Sequence, residues 1–120
     1  MPTQFDADGF ADIRTYLQNN WTHVAVVDDT DTEQLRWDIA ANSNTSWSSG
    51  PSSNPLEATL TVTGQDIQDA GGTLPVTLSS TESYKSSSAT ERMAADSYTN
   101  ATLEALADEV VITHQLSTPP

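Results

Sequence analysis

Cysteine is absent from the 120 residues, which excludes disulfides, thiol nucleophiles and thiolate metal ligands. Basic residues are nearly absent as well: four stand against 17 Asp and Glu, and Lys85 is the sole lysine. A surface this poor in cations has nothing with which to replace phosphate counterions, so nucleic acid is not an expected partner. Long apolar runs are also missing, and no stretch approaches the ~18 residues that a membrane span requires. The opening MPTQFDADGF carries neither a basic n-region nor an apolar stretch. No signal peptide is therefore expected, and the chain reads as soluble and made in the cytoplasm. Glycines number five, and Gly71–Gly72 is followed by a strand-like run, so no phosphate-cradling loop is expected.

What is present is acid, scattered from Asp6 to Glu109 for a net charge of −13. Such a charge strains a compact state by self-repulsion. At ~1 M salt the Debye length falls to about 3 Å and the penalty largely vanishes. With Ala, Val and Thr abundant and bulky apolar residues scarce, the composition is that of a halophilic protein. Low hydropathy with high net charge also marks disorder. Here, however, the apolar residues of 56–62, 74–78 and 110–116 alternate in a way that a disordered chain has no use for. One domain spanning 1–120 is expected, with a modest core.

Phe10, Ile13 and Leu17 recur at helical spacing, predicting a helix over 6–20 capped by Asp6 or Asp8 and ended at Asn19 and Asn20. First strands follow within 22–39, where the β-branched run 22–27 and alternating Leu35, Trp37 and Ile39 flank an acidic turn. Residues 42–55, NSNTSWSSGPSSNP, read as a long surface loop anchored by Trp47. The rest, 56–117, reads as β. Leu56, Ala58, Leu60 and Val62 face inward, and a bend at 66–72 leads to a run with Leu74, Val76 and Leu78 inward. Pro75 suggests an edge strand or bulge there. A hairpin is expected around 84–96, and the segments ATLEAL and EVVITHQL are expected to pair across a turn at Ala107–Asp108. The predicted class is mainly β, a small antiparallel β-sandwich of about seven strands with one N-terminal helix.

Candidate functional residues are few. Asp28, Asp29, Asp31 and Glu33 place alternating carboxylates on one turn, as a Ca²⁺ loop would, but lack the twelve-residue spacing with its central Gly and final Glu. An acidic hairpin tip is the ordinary expectation for a halophile, so no metal and no cofactor are assigned. His23 and His114 lie in strand-like runs, His114 read as facing away from Ile112, and exposed or interfacial positions are expected for both. Among 14 serines none stands in a nucleophile motif, so no catalytic residue is assigned. Trp21 and Trp37 fall in periodic segments and read as core; Trp47 reads as a contact residue or a pin for its loop. Asn20, Asn44 and Asn100 begin N-x-S/T sequons, a weak signal in a chain one-quarter Ser and Thr.

The segments LTVTGQDIQDAGGTLPVTLSSTESY and ERMAADSYTNATLEALADEVVITHQL, after THVAVVDD (22–29), resemble in order and spacing the small β-sandwich structural proteins of tailed viruses. Members of that group occupy tail fibres, baseplates and collars, and related ones decorate capsids. The chain departs from the group at 86–90, where Ser residues stand in place of a Gly-Gly hairpin tip, and at Ser83, which replaces an apolar residue. The resemblance implies a virion component that is not an enzyme. With the charge signature, it implies a tailed virus of halophilic archaea. Expected partners are further copies of itself, other tail or capsid proteins, and the host cell surface, with Trp47, Tyr84 and Trp21 as contact residues. Assembly of that kind would also hold both termini. A carbohydrate-binding adhesin module or a small cellular halophilic protein are the alternative readings.

Overall fold

A computed structural model describes residues 5–118. Helix α1 (Ala7–Asn20) is followed by β1 (His23–Asp28), β2 (Glu33–Asp38), β3 (Thr45–Trp47), β4 (Leu56–Thr63) and a short α2 (Gly64–Asp69). Strands β5 (Val76–Tyr84), β6 (Ala94–Leu103) and β7 (Glu109–Leu116) complete the fold. Two antiparallel sheets form, ordered β2-β1-β5-β6 and β3-β4-β7, so the expected seven-stranded sandwich with its N-terminal helix is the fold.

Period-two burial creates the core. Every second residue of β4 is fully buried, as the alternation in LEATLTVT requires. Val24, Val26, Leu35 and Leu78 from one sheet meet Leu60, Val62 and Ile112 from the other. A second, smaller cluster at the α1 end joins Leu17, Leu56 and Leu116 to Ile13, Trp21 and Trp47. Arg14 fastens the helix there: it is only 5% exposed, and it donates from Nε to the Pro51 carbonyl (2.6 Å) and from Nη1 to the Thr118 hydroxyl (2.7 Å). Asn54 brackets Thr118 by accepting from its amide and donating to its carbonyl, which ties the 42–55 loop to the chain end of the sandwich. That loop also contributes β3, which pairs with β4.

Several expectations are corrected. The segments around 101–106 and 109–116 do not pair: β6 bonds β5 in one sheet and β7 bonds β4 in the other. The reason is local. The Asp108 carboxylate accepts from the amides of Glu104 and Ala105 and turns the chain across the sandwich. The turn presses Ala105 onto Gly64, where a Cβ would come within 2.1 Å of the Ala105 carbonyl oxygen. Residues 66–72 are not a plain bend, because Thr63 and Asp66 form a capping box that starts α2, and Gly71 at φ +98° ends the segment. Pro75 lies just before β5, which is an interior strand and not an edge. Asp6 occupies the N-cap position of α1 but makes no side-chain capping bond. The expectation that both termini are held concerns Met1 and Pro120, which lie outside the described residues.

Candidate functional site

The least expected feature is polar and lies between the sheets. His114 shares the inward face of β7 with Ile112, because residues two apart on a strand point the same way. It is fully buried, contrary to the exposed or interfacial position expected from its sequence context. Its Nδ1 lies 2.7 Å from the Thr81 hydroxyl and its Nε2 2.6 Å from the Ser83 hydroxyl, both on β5 of the opposite sheet. A neutral ring donates from one nitrogen and accepts at the other, so the two hydroxyls satisfy it completely. Burial holds its pKa down to about 4, with Asp96 pulling weakly upward. His114 is thus an uncharged polar bolt joining the sheets.

The Ser83–His114 pair has the spacing of a nucleophile and its base, yet Ser83 is only 1% exposed and Thr81 stands where an orienting carboxylate would be needed. That hydroxyl is closed off from solvent between the sheets. His23 does not approach His114; it lies on the sheet containing β1, bonded through Nδ1 to Thr22 and 3.9 Å from the Asp38 carboxylate.

On the outer face of the β2-β1-β5-β6 sheet, charged groups are consumed in a second network. Tyr84, expected as a contact residue, is 8% exposed: its ring lies under the Arg36 guanidinium at 3.6 Å and its hydroxyl donates to Glu82. Burial raises the Tyr84 pKa, and the Glu82 hydrogen bond adds to the rise. Glu82 is the one buried acid, and it accepts from Arg92 at 2.6 Å. Arg36 pairs with Glu33 and donates to the carbonyls of Ser86, Ser87 and Ala89, strapping the β5–β6 loop onto the sheet. Substitution Arg36→Leu is expected to free this loop, with tryptic cleavage at Lys85 and Arg92 about tenfold faster as local opening becomes easier by roughly 1.4 kcal/mol. Unchanged cleavage would show that the strap is held by something else.

The acidic turn after β1 is self-contained. Asp28 Oδ1 accepts from the Thr30 amide and hydroxyl and the Thr32 amide, and Oδ2 accepts from Gln34. Burial pushes the Asp28 pKa up, but these four donors outweigh it and the net shift is downward. Asp29, Asp31 and Glu33 are exposed, and among the described residues no group of three or more His, Asp or Glu is placed to hold a metal.

Trp47 packs against both core clusters, Trp37 against the larger and Trp21 against the smaller, so none of the three is a free platform. Trp21 does border an open groove of about 530 Å³ between α1 and the neighbouring ends of β6 and β7. Ile13, Leu17, Ala94 and Leu116 give the groove an apolar wall, and Asp96 and Gln115 lie at its margin. Trp21 was legible in the sequence as a core or contact aromatic. The groove itself was not, since it depends on where α1 docks. No protein-family model, curated protein or solved structure matches this chain.

Proposed function

We propose that this chain is a non-enzymatic structural component of the particle of a tailed virus infecting a halophilic archaeon, working by assembly with its own copies and with other tail or capsid proteins. The observation that carries the reading is the disposition of its reactive groups. His114, Ser83, Glu82, Tyr84 and three arginines are all engaged in internal bonds that stiffen a sandwich, while ten of the 17 acids stand exposed. Such a chain offers shape, backbone edges and a solvated acidic shell, which is what a building block in brine requires. Salt weakens ion-pair recognition, so apolar and backbone contacts carry its interfaces. The adhesin reading needs tryptophans exposed in one concave patch, and their packing against the core gives it little support.

Light scattering in ~2 M KCl, where the charge is screened, should give a multiple of the 12.9 kDa chain mass. A stable monomer there would overturn assembly. Antibody raised against the chain should label purified virus particles in the electron microscope; chain confined to the cell fraction would overturn the virion assignment.

A further inference from the structure

Every open sheet has edges, and unpaired strand edges invite another strand unless they are blunted. Three of the four edges here are blunted. Strand β3 is only three residues long, and β2 carries Glu33, Arg36 and Asp38 among its six. Strand β6 is broken by a bulge in which Tyr98, Thr99 and Asn100 oppose the single Ser79. Strand β7 has none of these devices. It runs eight residues in unbroken register with β4, without proline or lysine, and Glu109 at its start is its only acid.

The direction of its backbone groups follows from the ladder. Thr61, opposite Val111, sends its amide to Asn44, and Glu57, opposite Gln115, receives amides from Ser48 and Ser49 on the β3 side. The odd-numbered positions of β7 therefore form non-hydrogen-bonded pairs with β4 and turn their N–H and C=O to the open side. Gln115 bears this out, since its amide donates sideways to the Asp96 carboxylate. Glu109, Val111 and Thr113 are left, and their amides have no partner among the described residues. Val111 is 61% exposed, one of the few large apolar side chains on the surface.

From this edge we infer that two copies of the chain pair through β7, antiparallel about a two-fold axis at Val111, so that the β3-β4-β7 sheets merge into one six-stranded sheet. The inference rests on the assembly reading above and names its contact. The register is self-complementary, as a two-fold interface demands. Val111 meets Val111 of the second copy, and Glu109 meets Thr113, so no carboxylate faces another across the seam. Each facing pair exchanges two backbone hydrogen bonds, which salt does not screen. That is a suitable currency of recognition for a chain of net charge −13.

Two substitutions test it in the full-length chain. Val111→Cys supplies the only thiol; facing hydrogen-bonded residues have Cα atoms about 5.5 Å apart, within disulfide range. It should oxidise to a covalent dimer in ~2 M KCl at least tenfold faster than Thr113→Cys, whose two copies lie roughly 14 Å apart in this register. Thr113→Pro removes an amide that β4 does not use, so the far-ultraviolet circular dichroism should persist while the mass falls to that of the monomer. A wild-type chain that is monomeric overturns both this pairing and the assembly reading. An oligomer in which the two cysteines cross-link equally fast, or which survives Thr113→Pro, overturns the β7 pairing alone.

Discussion

Acidification from pH 6.5 to 4 in concentrated KCl is expected to remove about 3 kcal/mol of stability from the wild-type chain, and none of that loss should appear in His114→Gln. The unfolded imidazole takes its proton near pH 6.5, whereas the buried one resists until about pH 4. Between those values the unfolded state binds the extra proton, so stability falls as the pH drops. Above pH 6.5 and below about 4 the group contributes no slope. At 1.36 kcal/mol per pKa unit the interval corresponds to roughly 3 kcal/mol, a large part of the ~5–15 kcal/mol that holds a typical domain together. Asp28 and Asp108 act in a different window. Burial notwithstanding, the backbone and side-chain donors around Asp28 lower its pKa, and the amides of Glu104 and Ala105 lower that of Asp108. Their contribution is present above the ordinary aspartate value of 3.8 and is lost only as the pH falls toward their depressed folded values. Urea midpoints at half-unit pH steps separate the two. Glutamine keeps one donor and one acceptor but cannot titrate, so its curve should be lower at pH 7 and flat from 6.5 to 4. A sloping His114→Gln curve, or a flat wild-type one, would show that the bolt between the sheets is not what acid opens.

The fate of His114 also shows how far the sequence could be read. Its parity with Val110, Ile112 and Leu116 was visible, and parity alone puts it inside. What the string could not display was the partner that makes an inward histidine tolerable. Thr81 and Ser83 lie 33 and 31 positions earlier, and nothing local announces that β5 and β7 face each other. The same gap explains the β6–β7 connection. Proximity in sequence favours a hairpin, whereas the outcome was decided by Asp108 capping two amides and by space that only Gly64 leaves open. Where the determinant was local, the reading held, as in the alternation of β4 and the spacing of Phe10, Ile13 and Leu17 in α1. The start of α2 also has a local signal, Thr63-x-x-Asp66. Tyr84 was misplaced because its burial depends on Arg36, 48 positions away, stacking on it from another strand.

Transfer from ~2 M to ~0.05 M KCl is expected to unfold the chain or dissociate it, an effect larger than any single substitution, because it acts on every exposed carboxylate together. Two unit charges ~15 Å apart in water repel by roughly 0.3 kcal/mol, and summed over the pairs of a net −13 the folded state carries on the order of 10 kcal/mol more repulsion than an expanded chain. That is comparable to the whole stability of a small domain. The arginines are already counted in that net charge: Arg14 donates to neutral oxygens, and Arg36 and Arg92 pair with Glu33 and Glu82. Salt can also stabilise by strengthening apolar burial, and kosmotropic anions do so most. Charge removal distinguishes the causes. Replacing the exposed Asp8, Asp12, Asp69, Glu91 and Glu104 by their amides touches no core residue and no internal bond named above. If repulsion is the cause, the five-fold variant should stay folded at several-fold lower KCl than the wild type and gain little from further salt. If burial is the cause, the variant and the wild type should respond to KCl alike, and sulfate should outperform chloride for both. The first outcome makes the acidic shell a solvation device matched to brine, and it explains why the one acid withdrawn from that shell, Glu82, is also one held by an arginine.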